Sequence, residues 1–170
     1  MAGHLSGKNI AVTGAGNGIG RSVAILCAKE GANVVVADYG VELDGSAPSS
    51  AVADEVVNQI KELGGNAIAV AGDVSESEVG QRIVETAIET WGRIDGVACA
   101  AGILRERMLF NMTDEEFDDV VRVHLRGHFN VYRAASAVMR KQEGGGSILG
   151  FTSGAFVAST AQPNYSAAKG

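Results

Sequence analysis

Cysteine is scarce in this chain, with only Cys27 and Cys99 among 170 residues. One lies in a helix-like and the other in a strand-like apolar segment, so both are expected to be small core residues, not a disulfide or a catalytic thiol. Basic charge is scarce too. Fourteen Lys and Arg against twenty Asp and Glu leave a net charge of −6, which speaks against nucleic acid or an anionic membrane as partner, since both attract basic stripes. No apolar run reaches the roughly 18 residues of a membrane span. Residues 1–8 lack the charged head and apolar stretch of a secretory signal, and a cytoplasmic location is expected. His4, His124 and His128 form no metal-ligand grouping with each other or with the cysteines, so no metal site is expected.

What remains is an ordinary globular composition, 46% hydrophobic and 20% charged, long enough for one domain over 1–170. Short apolar runs alternate with amphipathic stretches throughout. This is the pattern of an α/β fold, a doubly wound parallel sheet of Rossmann type in three α/β/α layers. Strands are expected at 9–13, 33–37, 67–71, 96–100 and 147–152, several apolar on both faces as in a sheet buried between two helical layers. Helices are expected at 18–29, 50–63, 76–90 and 114–141. Ser75 with Glu78, and Thr113 with Glu116, have the spacing of capping boxes. Gly64-Gly65 and Gly144-Gly145-Gly146 read as turns. The polar, broken stretch 39–49 reads as a surface loop beside the strand ends where ligands of this architecture bind.

The segment Thr13-Gly14-Ala15-Gly16-Asn17-Gly18-Ile19-Gly20 follows a strand and opens a helix. Glycines there let the backbone approach a pyrophosphate, and the helix start offers unpaired N–H groups and the positive end of its dipole. Gly14, Asn17, Gly18, Ile19 and Gly20 are therefore candidate cofactor contacts. Asp38, eighteen residues beyond Gly20, can accept from both adenosine ribose hydroxyls and would repel a 2′-phosphate, which favours NAD over NADP. Asp73 after the third strand can reach the adenine edge, Val74 beside it is a further cofactor candidate, and Ala101 and Gly102 after the fourth leave room for the cofactor.

Near the other end stand Tyr165 and Lys169, four apart on a helix and so on one face, with Ser153 twelve residues before the tyrosine. A nearby ammonium favours the phenolate and brings a phenol closer to the range of efficient acid–base catalysis. Ser153 is placed to donate a hydrogen bond to the same substrate oxygen. Together with the glycine-rich loop, this suits hydride transfer between a small-molecule alcohol or carbonyl and a nicotinamide.

These residues resemble the short-chain dehydrogenase/reductase family: the Thr-Gly-x-x-x-Gly-x-Gly at 13–20, an acidic residue after the second strand, Asp73-Val74, Ala101-Gly102, and Ser153, Tyr165 and Lys169. The resemblance implies that Tyr165 is the general acid–base, that Lys169 lowers its pKa and binds the nicotinamide ribose, and that Ser153 holds the substrate oxygen. Cys99-Ala100 stands where the family has two asparagines, and His124 where it has the asparagine of a proton relay. An imidazole can pass protons, so His124 joins the candidates. The stretches 102–107 and 123–127 are similar to the hydroxyacyl-CoA dehydrogenase branch found in peroxisomal multifunctional enzyme type 2 and its bacterial relatives. That likeness implies 3-hydroxyacyl-CoA or hydroxysteroid substrates. A 3-oxoacyl carrier-protein reductase and a catalytically weak cofactor-binding protein are the alternatives. Met108-Leu109-Phe110 is expected to pack against helices. The family is longer than this chain and commonly oligomeric, so a C-terminally truncated piece of a homo-oligomer is expected.

Overall fold

The computed structural model describes residues 3–170. Five strands, β1 (Asn9–Thr13), β2 (Asn33–Asp38), β3 (Asn66–Ala71), β4 (Gly96–Cys99) and β5 (Ser147–Gly150), form one parallel sheet in the order β3-β2-β1-β4-β5. The order reverses at β1, so the carboxyl ends of β1 and β4 diverge into a crevice.

The continuous apolar runs follow from burial on both faces. Val34 and Val36 point into one core with Val12, Ala24 and Ile60, while Val35 and Ala37 point into the other with Ile83, Val97 and Val131. Each fully buried valine contributes about 1.5–3 kcal/mol. Helices α1 (Gly18–Lys29) and α2 (Ala51–Glu62) cover the first face, while α3 (Ser77–Trp91) and α5 (Gly127–Met139) cover the second. At the amino ends of the strands the side chains of Asn66, Asn33 and Asn9 form a ladder, Asn66 donating to Asn33 at 3.1 Å and Asn33 to Asn9 at 2.8 Å.

Four local expectations are corrected. Ser75 and Glu78 form no capping box: the residue before α3 is Glu76, without a side-chain cap, and the Ser75 hydroxyl is engaged by Arg122. The helix expected over 114–141 is α4 (Asp114–Val121), a π-helical turn at Arg122–Arg126, then α5. The Thr113–Glu116 box at its start does form. β5 ends at Gly150 and lies at the sheet edge with all four residues exposed, so it is not a strand buried between layers. Met108, Leu109 and Phe110 are exposed around a short 3-10 turn and belong to neither buried core, so they are not the helix-packing patch expected.

The loop after β2 leaves the sheet, passes over the carboxyl end of β1 and meets the chain after β4, where the Leu104 N–H donates to the Leu43 carbonyl at 2.9 Å. Gly45 permits this approach. Its φ is +89°, and a Cβ there would stand 3.2 Å from Ile103 Cδ1.

Candidate active site

A crevice of about 540 Å³ opens at the carboxyl ends of β1, β2 and β4. Every residue expected to meet the cofactor, apart from Tyr165 and Lys169, lines it: Gly14, Asn17, Gly18, Ile19, Gly20, Asp38, Asp73, Val74, Ala101 and Gly102. The glycines are required by backbone shape and by close approach. Gly14 has φ +65°, and a Cβ there would sit 2.7 Å from the Ala101 backbone. A Cβ on Gly20 would stand 2.1 Å from the Gly14 carbonyl oxygen. Asn17 precedes α1 without a side-chain capping bond, which leaves the first N–H groups of that helix available to an anion.

Asp38 anchors the other wall. Its Oδ2 accepts from the Gly16 N–H at 2.7 Å and its Oδ1 from the Gly40 N–H at 2.6 Å. Each oxygen keeps a further lone pair for a ligand hydroxyl. Thr13, at the end of β1, accepts from the Ala101 N–H through Oγ1 at 3.3 Å and so couples the glycine-rich loop to the turn after β4.

The acid–base candidates gather beside this crevice and are not part of its lining. Tyr165 and Lys169 share the face of α6 (Pro163–Lys169), with the Lys169 Nζ 5.6 Å from the Tyr165 ring centroid. That ammonium donates to the Phe151 carbonyl at 2.6 Å, and burial lowers its pKa. His124 stands edge-on to Tyr165 with ring centroids 5.0 Å apart. It is buried, and its Nε2 lies 2.9 Å from the Ile103 oxygen and 3.2 Å from the Ile103 nitrogen, so the tautomer decides which bond is made. Its Nδ1 is buried without a partner. Burial, opposed by the Ile103 bond, depresses the His124 pKa to about 4. His124 is therefore a neutral imidazole at physiological pH. Ser153 accepts from the Ala155 N–H at 3.2 Å, and this leaves its own hydroxyl hydrogen free to donate.

Three residues that shape the site escape a reading of motifs. His128, one turn beyond His124, has its Nε2 2.8 Å from the Cys99 carbonyl oxygen. Asn164, fully buried next to Tyr165, donates to the carbonyls of Arg105 and Glu116 at 3.0 and 2.9 Å and so seats α6 on α4. Asn130 donates to the carbonyls of Val74 and Ser75 at 3.1 and 2.8 Å. Only the adjacency of Asn164 to the tyrosine and the four-residue spacing of the histidines were visible signals. Cys99 is a core residue whose thiol is pushed up to about 12 by burial, and both cysteines are free.

A family model described as short chain dehydrogenase matches residues 8–170, and the chain belongs to that family. It is 44% identical over 165 residues to peroxisomal multifunctional enzyme type 2 of Mus musculus, covering 97% of this chain and 22% of that one. It is 43% identical over 173 residues to hydroxyacyl-CoA dehydrogenase ChsB1 of Mycobacterium tuberculosis, covering 97% of this chain and 53% of that one. A crystal structure of a short chain dehydrogenase from Mycobacterium avium superposes with a TM-score of 0.90 at 44% identity, over 98% of this chain and 62% of that one. The chain thus spans about a fifth to three fifths of the length of these relatives. Members of the family are oxidoreductases that use a nicotinamide cofactor on a small-molecule substrate.

Proposed function

We propose that this chain carries the cofactor site and the proton-transfer groups of an NAD-dependent dehydrogenase acting on 3-hydroxyacyl-CoA thioesters or hydroxysteroids. The observation that carries the reading is the packing of Tyr165 against His124 and Lys169 beside a crevice whose wall ends in Asp38. The hydroxyacyl-CoA part of the proposal is supported by the name of the mycobacterial relative.

The crevice fits a dinucleotide on structural grounds: closely approaching glycines, an uncapped helix start for the pyrophosphate, and a carboxylate for the ribose. When bound, the nicotinamide supplies the hydride acceptor or donor. In the oxidation direction Tyr165 takes the substrate hydroxyl proton, with the Lys169 ammonium beside its ring. Ser153 donates its free hydrogen to the substrate oxygen as charge develops there. His124, neutral and edge-on to the Tyr165 ring, holds that ring in place, and the proton leaves Tyr165 to solvent. Asp38 admits a free 2′-hydroxyl and repels a 2′-phosphate, so NAD is preferred.

Self-association through the face of α4 and α5 is part of the proposal. Leu125 and Phe129 are exposed and line one surface groove with Val121, an apolar grouping that suits a protein–protein contact.

The test is turnover of a 3-hydroxyacyl-CoA by the intact protein with NAD and with NADP. Reduction of NAD well above NADP is expected. A preference for NADPH with 3-oxoacyl carrier protein would replace the proposal with the reductase reading, and dinucleotide binding without turnover of any alcohol would make the protein a binding module.

A further inference from the structure

The turn 73–75 between β3 and α3 is clamped from one direction, by the helix that runs through the π-turn. Arg122, the first residue of that turn, donates through Nη1 to Asp73 Oδ2 at 2.6 Å and to the Ser75 hydroxyl. Its Nη2 stands 3.5 Å from Asp119 Oδ1, while Asp119 Oδ2 accepts from Arg105 at 3.1 Å. The guanidinium is thereby held between two carboxylates, and Arg122, Asp73, Asp119 and Arg105 line the crevice. A π-turn widens the helix by one residue per turn and re-aims its side chains, a device often found at functional positions.

Asp73 is consequently fixed at both oxygens. Oδ1 accepts from the Ser75 N–H at 2.9 Å and Oδ2 from Arg122. Although burial opposes ionisation, these bonds hold its carboxyl below the usual carboxylate range. The result is an ionised acceptor held in place in a crevice that Val74 and Val123, two apolar residues, also line. A flat heterocycle carrying an amino group on its edge meets that description.

On the reading that the crevice holds NAD, we propose that Arg122 is a positioning residue that sets specificity for a 6-aminopurine by fixing the Asp73 carboxylate as acceptor for the ring's amino group. A ring with a carbonyl at the same place meets a fixed anion with a lone pair and is rejected. Arg122 does not touch the ligand in this account. It acts by keeping Asp73 charged and unable to turn away.

The experiment is calorimetric binding of NAD and of its hypoxanthine counterpart, in which the amino group is replaced by a carbonyl. It is run on the intact wild-type protein, on R122M and on R122K. The wild type is expected to favour the amino form, and R122M to lose about tenfold of that preference, the scale of one hydrogen bond to a charged group. R122K restores a donor to Asp73 and keeps most of the preference, which also covers the case in which R122M fails to fold. A merely structural arginine would weaken both dinucleotides by one factor. An unchanged ratio in R122M, or a wild type that binds both forms equally, overturns the inference while leaving NAD binding intact. A wild type that binds neither form overturns the proposed function and this inference together.

Discussion

The His124 imidazole meets the Tyr165 ring edge-on, at 5.0 Å between centroids and 85° between planes. Two neutral rings pack this way comfortably. A protonated imidazole would have to be accommodated in the same buried place, near the Lys169 ammonium, whose charge further lowers the His124 pKa.

Stability should therefore depend on pH through His124. Its folded pKa is about 4 against an ordinary imidazole value of 6.5, so the unfolded chain binds the extra proton first. The stabilising effect of burying neutral His124 is fully present above pH 6.5 and is lost as pH falls toward 4, an order of about 3 kcal/mol at 1.36 kcal/mol per unit. His128, also depressed by burial and then by Lys169, adds a slope of the same sign. Denaturant midpoints measured between pH 7 and pH 4 are expected to fall. H124N should flatten the curve, and an equally steep curve in that variant would refute the assignment.

Removing the phenol should separate chemistry from binding. Y165F keeps the ring that packs on His124 and loses the proton acceptor. Turnover in the intact protein is expected to drop by about 10²–10⁴-fold, the usual contribution of a positioned acid–base group, with NAD affinity near normal. Turnover close to wild type would remove Tyr165 from the mechanism.

Gly102 leaves no room for a side chain. A Cβ there would stand 2.1 Å from His124 Cε1 and 2.7 Å from its Nε2. G102A must push the imidazole off Ile103, at an overpacking cost of roughly 1–3 kcal/mol. Thermal unfolding should show that loss, and the His124 ring resonances should shift with it.

Asn130 is buried, and its amide satisfies two carbonyls in the turn that carries Asp73. N130A leaves both acceptors unpaired, and a destabilisation of about 2–3 kcal/mol is expected. Denaturant unfolding measures it directly. A loss below about 0.5 kcal/mol would mean that water replaces the amide.

The sheet was legible because its rules are local. Val34-Val35-Val36 can be buried on both faces only in a strand covered on two sides, and that is where it lies. The glycine-rich loop and Asp38 were legible for the same reason, since strand, turn and helix start are contiguous. Ser75 misled because a hydroxyl competes among partners, and Arg122, 47 residues away, outbids the α3 backbone. The π-turn leaves no periodic signature within five residues. Asn130 and Asn164 act on carbonyls 48 to 59 residues distant. Such distances carry no mark in the local pattern.

The backbone hydrogen bond from Leu104 to Leu43 ties the loop after β2 to the chain after β4 along one side of the crevice. A long guest that displaces that tie arrives in two steps, first contact and then loop release. Observed capture rates should level off at high ligand concentration instead of climbing in proportion. The residue at 43, which touches no reacting atom, would then govern how quickly the protein is loaded.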